Sequence, residues 1–135
     1  MKAREVMSAP VQCLSADTPT GVAAEFLVEH GFTAAPVIDD DGHVIGIVTE
    51  ADLLAGSLAA EHNPGGFRPT QRAVPRTVAG VMTSPVQSMT PGADIADVAD
   101  MMLNGRIRCL PIVDGDAVVG VITRRDLLYA AYRKK

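Results

Sequence analysis

Tryptophan is absent and aromatic side chains make up only 4% of the chain, although apolar residues reach 47%. The core must therefore be filled by Val, Ile, Leu, Ala and Met. No apolar run approaches the roughly 18 residues that a membrane span requires. The opening Met1-Lys2-Ala3-Arg4-Glu5-Val6-Met7 has no apolar stretch of the kind that marks a secretory leader. Basic charge is not in excess: the net charge is −4, which argues against a nucleic-acid or membrane-surface partner. Cys13 and Cys109 are the only cysteines and form no Cys-x-x-Cys pair. A reduced, cytoplasmic setting is expected.

Catalytic and metal patterns are equally sparse. His30, His43 and His62 share no zinc-ligand spacing. Asp39-Asp40-Asp41-Gly42 lacks the spacing and distal Glu of an EF-hand loop and reads as a solvated turn. No nucleophile, base and orienting acid fall together on plausible elements, so an enzyme is not expected and no metal is assigned.

What the chain does contain is a repeat. Val6-Met7-Ser8-Ala9-Pro10-Val11-Gln12 returns 75 residues later as Val81-Met82-Thr83-Ser84-Pro85-Val86-Gln87. Pro36-Val37-Ile38-Asp39 returns as Pro111-Ile112-Val113-Asp114 at the same offset. One residue is lost in the following turn. Gly46-Ile47-Val48-Thr49-Glu50-Ala51-Asp52 then matches Gly120-Val121-Ile122-Thr123-Arg124-Arg125-Asp126 at an offset of 74. The repeat divides the chain into 1–61 and 77–135, joined by a Pro/Gly/Arg-rich linker over 62–76.

Each copy reads as β-α-β-β-α. Extended segments are expected at Val11–Leu14 and Val86–Met89. Ala23, Phe26, Leu27 and His30 share one helical face, as do Val98, Met101 and Met102. Asp-Gly turns then separate two short apolar strands. A second helix begins near Thr49 or Thr123. The linker arginines Arg68, Arg72 and Arg76 are read as solvated, with a flap over a phosphate as the alternative.

Thr at a strand-to-helix junction with Asp three residues on has two readings. It is a sensible N-cap followed by a favourable first-turn acid. It is also a phosphate contact at a helix N-terminus with a carboxylate placed for ribose hydroxyls. Gly46 and Gly120 are read as permitting close backbone approach.

The Val-Met-x-x-Pro-Val openings, the Pro-Val-Ile-Asp and Pro-Ile-Val-Asp strands and the two Gly-x-x-Thr-x-x-Asp motifs resemble the CBS domain pair, or Bateman module, over about residues 3–132. The resemblance implies an α+β fold of two tandem CBS repeats packed with pseudo-two-fold symmetry through their small sheets. It implies a regulatory module binding an adenosine nucleotide (AMP, ADP or ATP) in an inter-repeat cleft, with no further cofactor. It also implies a homodimer and an unknown protein partner regulated in trans. Carried over by position, a stronger site comprises Thr33, Ala34, Thr123, Arg125 and Asp126. A weaker one comprises Thr49, Asp52 and Arg108, with Glu50 and Ala51 where the first has arginines. The alternatives are a structural or interaction scaffold of the same type with no nucleotide, or a binder of S-adenosyl methionine.

Overall fold

The computed structural model describes residues 1–9, 11–61, 77–84 and 86–133. The expected linker over 62–76, with Arg68, Arg72 and Arg76, lies outside the described residues. Elements run α1 (Ala3–Val6), β1 (Leu14–Ser15), α2 (Thr20–His30), β2 (Ala34–Ile38), β3 (Val44–Thr49) and α3 (Glu50–Glu61). A 3-10 turn at Val78–Gly80 follows, then α4 (Ile95–Gly105), β4 (Cys109–Asp114), β5 (Ala117–Thr123) and α5 (Arg124–Arg133). The chain is a mixed α+β fold of two like halves, each a β-hairpin with two helices. The hairpins adjoin along β2 and β4.

The amphipathic faces read from the sequence point inward. Ala23 and Leu27 of α2 and Val98 and Met102 of α4 are buried, while His30 is exposed. Gly31 ends α2 in the left-handed region at φ 69°. The same position of the second half is Arg106, also left-handed at φ 58°. A side chain with a Cβ bears a steric cost there that glycine avoids.

In the first half β1 pairs parallel to β2 through Leu14↔Val37 and Ser15↔Ile38. The strand expected over 86–89 is reduced to one bridge, Met89↔Ile112. Met89 N–H donates to the Pro111 carbonyl at 3.2 Å, and Val113 N–H donates to the Met89 carbonyl at 2.8 Å. The ladder would next need an N–H from residue 91, and Pro91 has none.

The opening segments are exchanged between the halves. The core under β2 and β3 contains Leu14, Leu27, Val37 and Val48, and is completed by Val78 with Val81 and Met82 against it. The core under β4 and β5 contains Met102, Leu110, Ile112 and Ile122, and is completed by Ala3 with Val6 and Met7. Backbone pairing repeats the exchange symmetrically. Ser8 and Val121 bond each other reciprocally at 2.8 and 3.1 Å, as do Thr83 and Ile47 at 2.8 and 3.0 Å.

The crossing strand explains both motif glycines. A Cβ on Gly120 would stand 2.5 Å from the Met7 sulfur and 3.0 Å from the Ser8 carbonyl. One on Gly46 would stand 2.7 Å from the Met82 sulfur and 3.0 Å from the Thr83 carbonyl. The close approach read at these glycines is therefore that of the other half's opening segment. Gly120→Ala is expected to destabilise the protein by about 1–3 kcal/mol, the usual range for overpacking. Urea unfolding checks this, and a double-mutant cycle with Met7→Ala should show the two losses to be less than additive, since Met7 supplies two of the three atoms nearest the added Cβ.

Candidate functional site

Both strand-to-helix junctions fold into the same hydrogen-bonded box. Thr123 N–H donates to Asp126 Oδ2 at 2.9 Å, and Asp126 N–H donates back to Thr123 Oγ1 at 3.3 Å. In the first half Thr49 N–H donates to Asp52 Oδ2 at 2.9 Å, and Asp52 N–H donates to Thr49 Oγ1 at 3.0 Å. Reciprocal bonds of this kind satisfy two otherwise orphaned helix-start donors. Both carboxylates therefore serve the fold first.

A cleft of about 600 Å³ opens beside the second box. Its walls bring together Thr33, Ala34, Arg108, Thr123, Arg125 and Asp126, with Arg124 beside them. Thr49 and Asp52 do not line it. Arg108, assigned by position to the weaker site, stands in the cleft with Asp126 instead. Thr33 reaches it because α2 ends at Gly31 and β2 begins at Ala34. The Thr33 carbonyl is already used, accepting the Glu50 N–H at 3.0 Å.

Three guanidinium groups against one carboxylate make this cleft a place for an anion. Arg108, Arg124 and Arg125 are exposed, whereas Asp126 is half-buried. Forked donors of this type match phosphate oxygens. The rim is aromatic: His30 and Phe32 stack with ring centroids 5.2 Å apart, and Phe26 lies 4.4 Å from His30. His30 Nδ1 lies 2.9 Å from the Phe26 carbonyl, which holds the ring in place.

Among the cleft residues that sequence reasoning missed is Ser8. Its hydroxyl donates to Asp126 at 3.1 Å (Oδ1) and 3.3 Å (Oδ2). The residues lie 118 positions apart, and only the exchanged packing joins them. The signal available was the shared Met-Ser/Thr step of the two openings.

Cys109, at 4% exposure, forms part of the cleft floor. Burial, then the Asp126 carboxylate and Cys13, push its thiol from 9.0 up to about 12. Burial also pushes the Cys13 thiol up. Both cysteines are free thiols.

The CBS domain family matches this chain twice, over residues 3–58 and 78–133. Hypoxic response protein 1 of Mycobacterium tuberculosis is 25% identical over 125 residues, covering 93% of this chain and 81% of that protein. The chloroplastic CBS domain-containing protein CBSX1 of Arabidopsis thaliana is 32% identical over 136 residues, covering 87% of this chain and 58% of that protein. The crystal structure of CBSX2 in complex with AMP superposes with a TM-score of 0.78 at 27% identity, over 98% of this chain and 96% of that one.

The Cys109 thiol sets a pH dependence. Below pH 9 it is protonated in both folded and unfolded chains. Between about pH 9 and 12 the unfolded chain releases the proton and the folded one keeps it, so stability falls as pH rises. The slope from this group is at most about 1.4 kcal/mol per pH unit. Urea unfolding at intervals across that range is expected to show a shallower decline for Cys109→Ser than for the parent protein.

Proposed function

The chain belongs to the CBS domain family, and from that premise we propose that it is a regulatory module binding an adenosine nucleotide in the cleft beside Asp126. The observation that carries this reading is the convergence of Thr123, Asp126, Arg108 and Arg125 with Thr33 and Ala34 on one cleft. The start of α5 and the arginines suit the phosphates. Asp126 suits the ribose hydroxyls, and Thr33 and Ala34 with the aromatic rim suit the base. The AMP complex of CBSX2, a protein of the same architecture, supports the ligand class.

Three arginines favour AMP, ADP or ATP over S-adenosyl methionine, whose sulfonium is a cation. Thr49 and Asp52, beside Glu50 rather than arginine, form the lesser site in this reading. The output is a change of geometry in a homodimer, read by a protein partner. Exposed apolar side chains on α3 and α5 suit self-association: Leu54 is 62% exposed, Leu128 60% and Tyr132 84%. The proposed role is regulatory rather than catalytic.

One observation favours a scaffold without nucleotide: the Asp126 carboxylate is already satisfied by Thr123 and Ser8. A thermal-shift titration with AMP, ADP, ATP, S-adenosyl methionine and NAD separates the readings. A ligand at 100 times its dissociation constant adds roughly 2.7 kcal/mol of apparent stability. A dose-dependent rise with an adenosine nucleotide is expected. It should be lost in Asp126→Asn, which keeps a cap acceptor, and weakened more for ATP than for AMP in Arg125→Ala. No shift with any nucleotide selects the scaffold. A shift with S-adenosyl methionine alone, indifferent to Arg125, selects that ligand.

A further inference from the structure

The Asp126 carboxylate has a limited number of places for hydrogen-bond donors, and the fold uses most of them. An ionised carboxylate offers about four lone-pair positions on its two oxygens. Oδ2 takes the Thr123 N–H at 2.9 Å and the Thr123 hydroxyl at 3.2 Å. The Ser8 hydroxyl takes a third place, 3.1 Å from Oδ1 and 3.3 Å from Oδ2. Among the described residues this leaves one place, on Oδ1. A ribose presents two neighbouring hydroxyls and needs two.

The donors already present are not equally fixed. The Thr123 bonds close the start of α5, and a ligand that displaced them would undo the helix cap. The opening segment does not depend on the Ser8 side chain in that way. Ser8 N–H donates to the Val121 carbonyl at 2.8 Å, and Val121 N–H donates to the Ser8 carbonyl at 3.1 Å. Met7 beside it packs against the second core. Ser8 is exposed and lines the cleft with Asp126. Its hydroxyl can leave the carboxylate by turning about one side-chain bond, with the backbone unmoved. At 3.1 and 3.3 Å the contact is also long for an O–H···O bond.

We infer that Ser8 is a specificity-determining residue of the cleft, a built-in competitor for the second hydroxyl of a ribose. The inference rests on the nucleotide reading above. A ligand with one free ribose hydroxyl takes the open place on Oδ1 and leaves Ser8 where it is. A ligand with the vicinal pair must evict Ser8 to seat its second hydroxyl. The bond that is lost offsets part of what that hydroxyl adds. Ser8 therefore narrows the preference for ribose over deoxyribose that the Thr123–Asp126 box would show alone.

The test is calorimetric titration of the full chain with AMP, 2′-deoxy-AMP and 3′-deoxy-AMP, for the parent, Ser8→Ala and Ser8→Thr. Ser8→Ala should bind AMP about tenfold more tightly, the low end for a hydrogen bond to a charged group. Both deoxynucleotides should bind Ser8→Ala as they bind the parent, so the lead of AMP over them widens by the same factor. Ser8→Thr keeps the hydroxyl, and threonine already stands at the matching position 83. It should bind all three ligands as the parent does. Ser8→Ala removes an exposed hydroxyl and keeps the backbone pairing, so folding is not in question; circular dichroism confirms it. Three results would overturn the inference and leave the nucleotide reading standing. AMP could bind Ser8→Ala and the parent equally. It could bind Ser8→Ala more weakly, which would make Ser8 a ligand contact. All three ligands could tighten alike, which would make the competition blind to the second hydroxyl. No binding of any of them to the parent overturns the nucleotide reading and this inference with it.

Discussion

The exchange of opening segments is the constraint on which the rest of the structure depends. Each hairpin with its two helices leaves one side of its core open, and the other half's opening segment closes it. Ala3 fills the core around Met102, and Val78 fills the one around Val37. The reciprocal Ser8–Val121 and Thr83–Ile47 bonds fix the register of each crossing strand. Glycine at 46 and 120 lets those strands lie against β3 and β5 without a collision. Neither half has a closed core of its own, so the two are held as one body, and a cleft between them can keep a defined shape.

Within that symmetric frame the two halves carry different charges. The Thr/Asp box is the same in both, because both helices need their first donors satisfied. What differs lies between the box residues: Glu50 and Ala51 in one, Arg124 and Arg125 in the other. Arg108 adds a third guanidinium to the second side. An ion pair of a few ångströms in a partly wet cleft is worth several times more than in bulk water. The two halves thus offer different charge beside the same box while the fold's symmetry is left untouched.

Much of this was legible in the sequence, and the exceptions have physical reasons. Apolar spacing located the buried faces of α2 and α4, and the Asp-Gly turns located both hairpins. Those signals are local, set by helix and strand periods and by turn chemistry. The exchange was not legible, because a repeat pattern says which segments are alike and not which half they pack against. Ser8 was missed for the same reason. The extended segments at 11–14 and 86–89 were overread as strands: only Leu14 of the first falls in β1, and the second keeps one bridge at Met89, beyond which Pro91 has no N–H to give. The aspartate run at 39–41 reads in one dimension as solvated charge. Only the folded turn sets His43 between it and Asp116.

The double duty of Asp126 bears on how occupancy of the cleft could be felt elsewhere. A ribose that took up the Asp126 carboxylate would compete with the Ser8 hydroxyl, a contact to a charged group and so among the stronger hydrogen bonds. Ser8 would not thereby come loose. Its backbone stays bonded to Val121 in both directions, and Met7 beside it stays packed against the second core. The ligand would exchange one hydroxyl for two, with little displacement of the strand. Any larger response must then come from other groups, and the exposed guanidinium groups of Arg108 and Arg125 are suited to that part. Both line the cleft, Arg108 just before β4 and Arg125 on α5, and a shared phosphate would draw those two elements together.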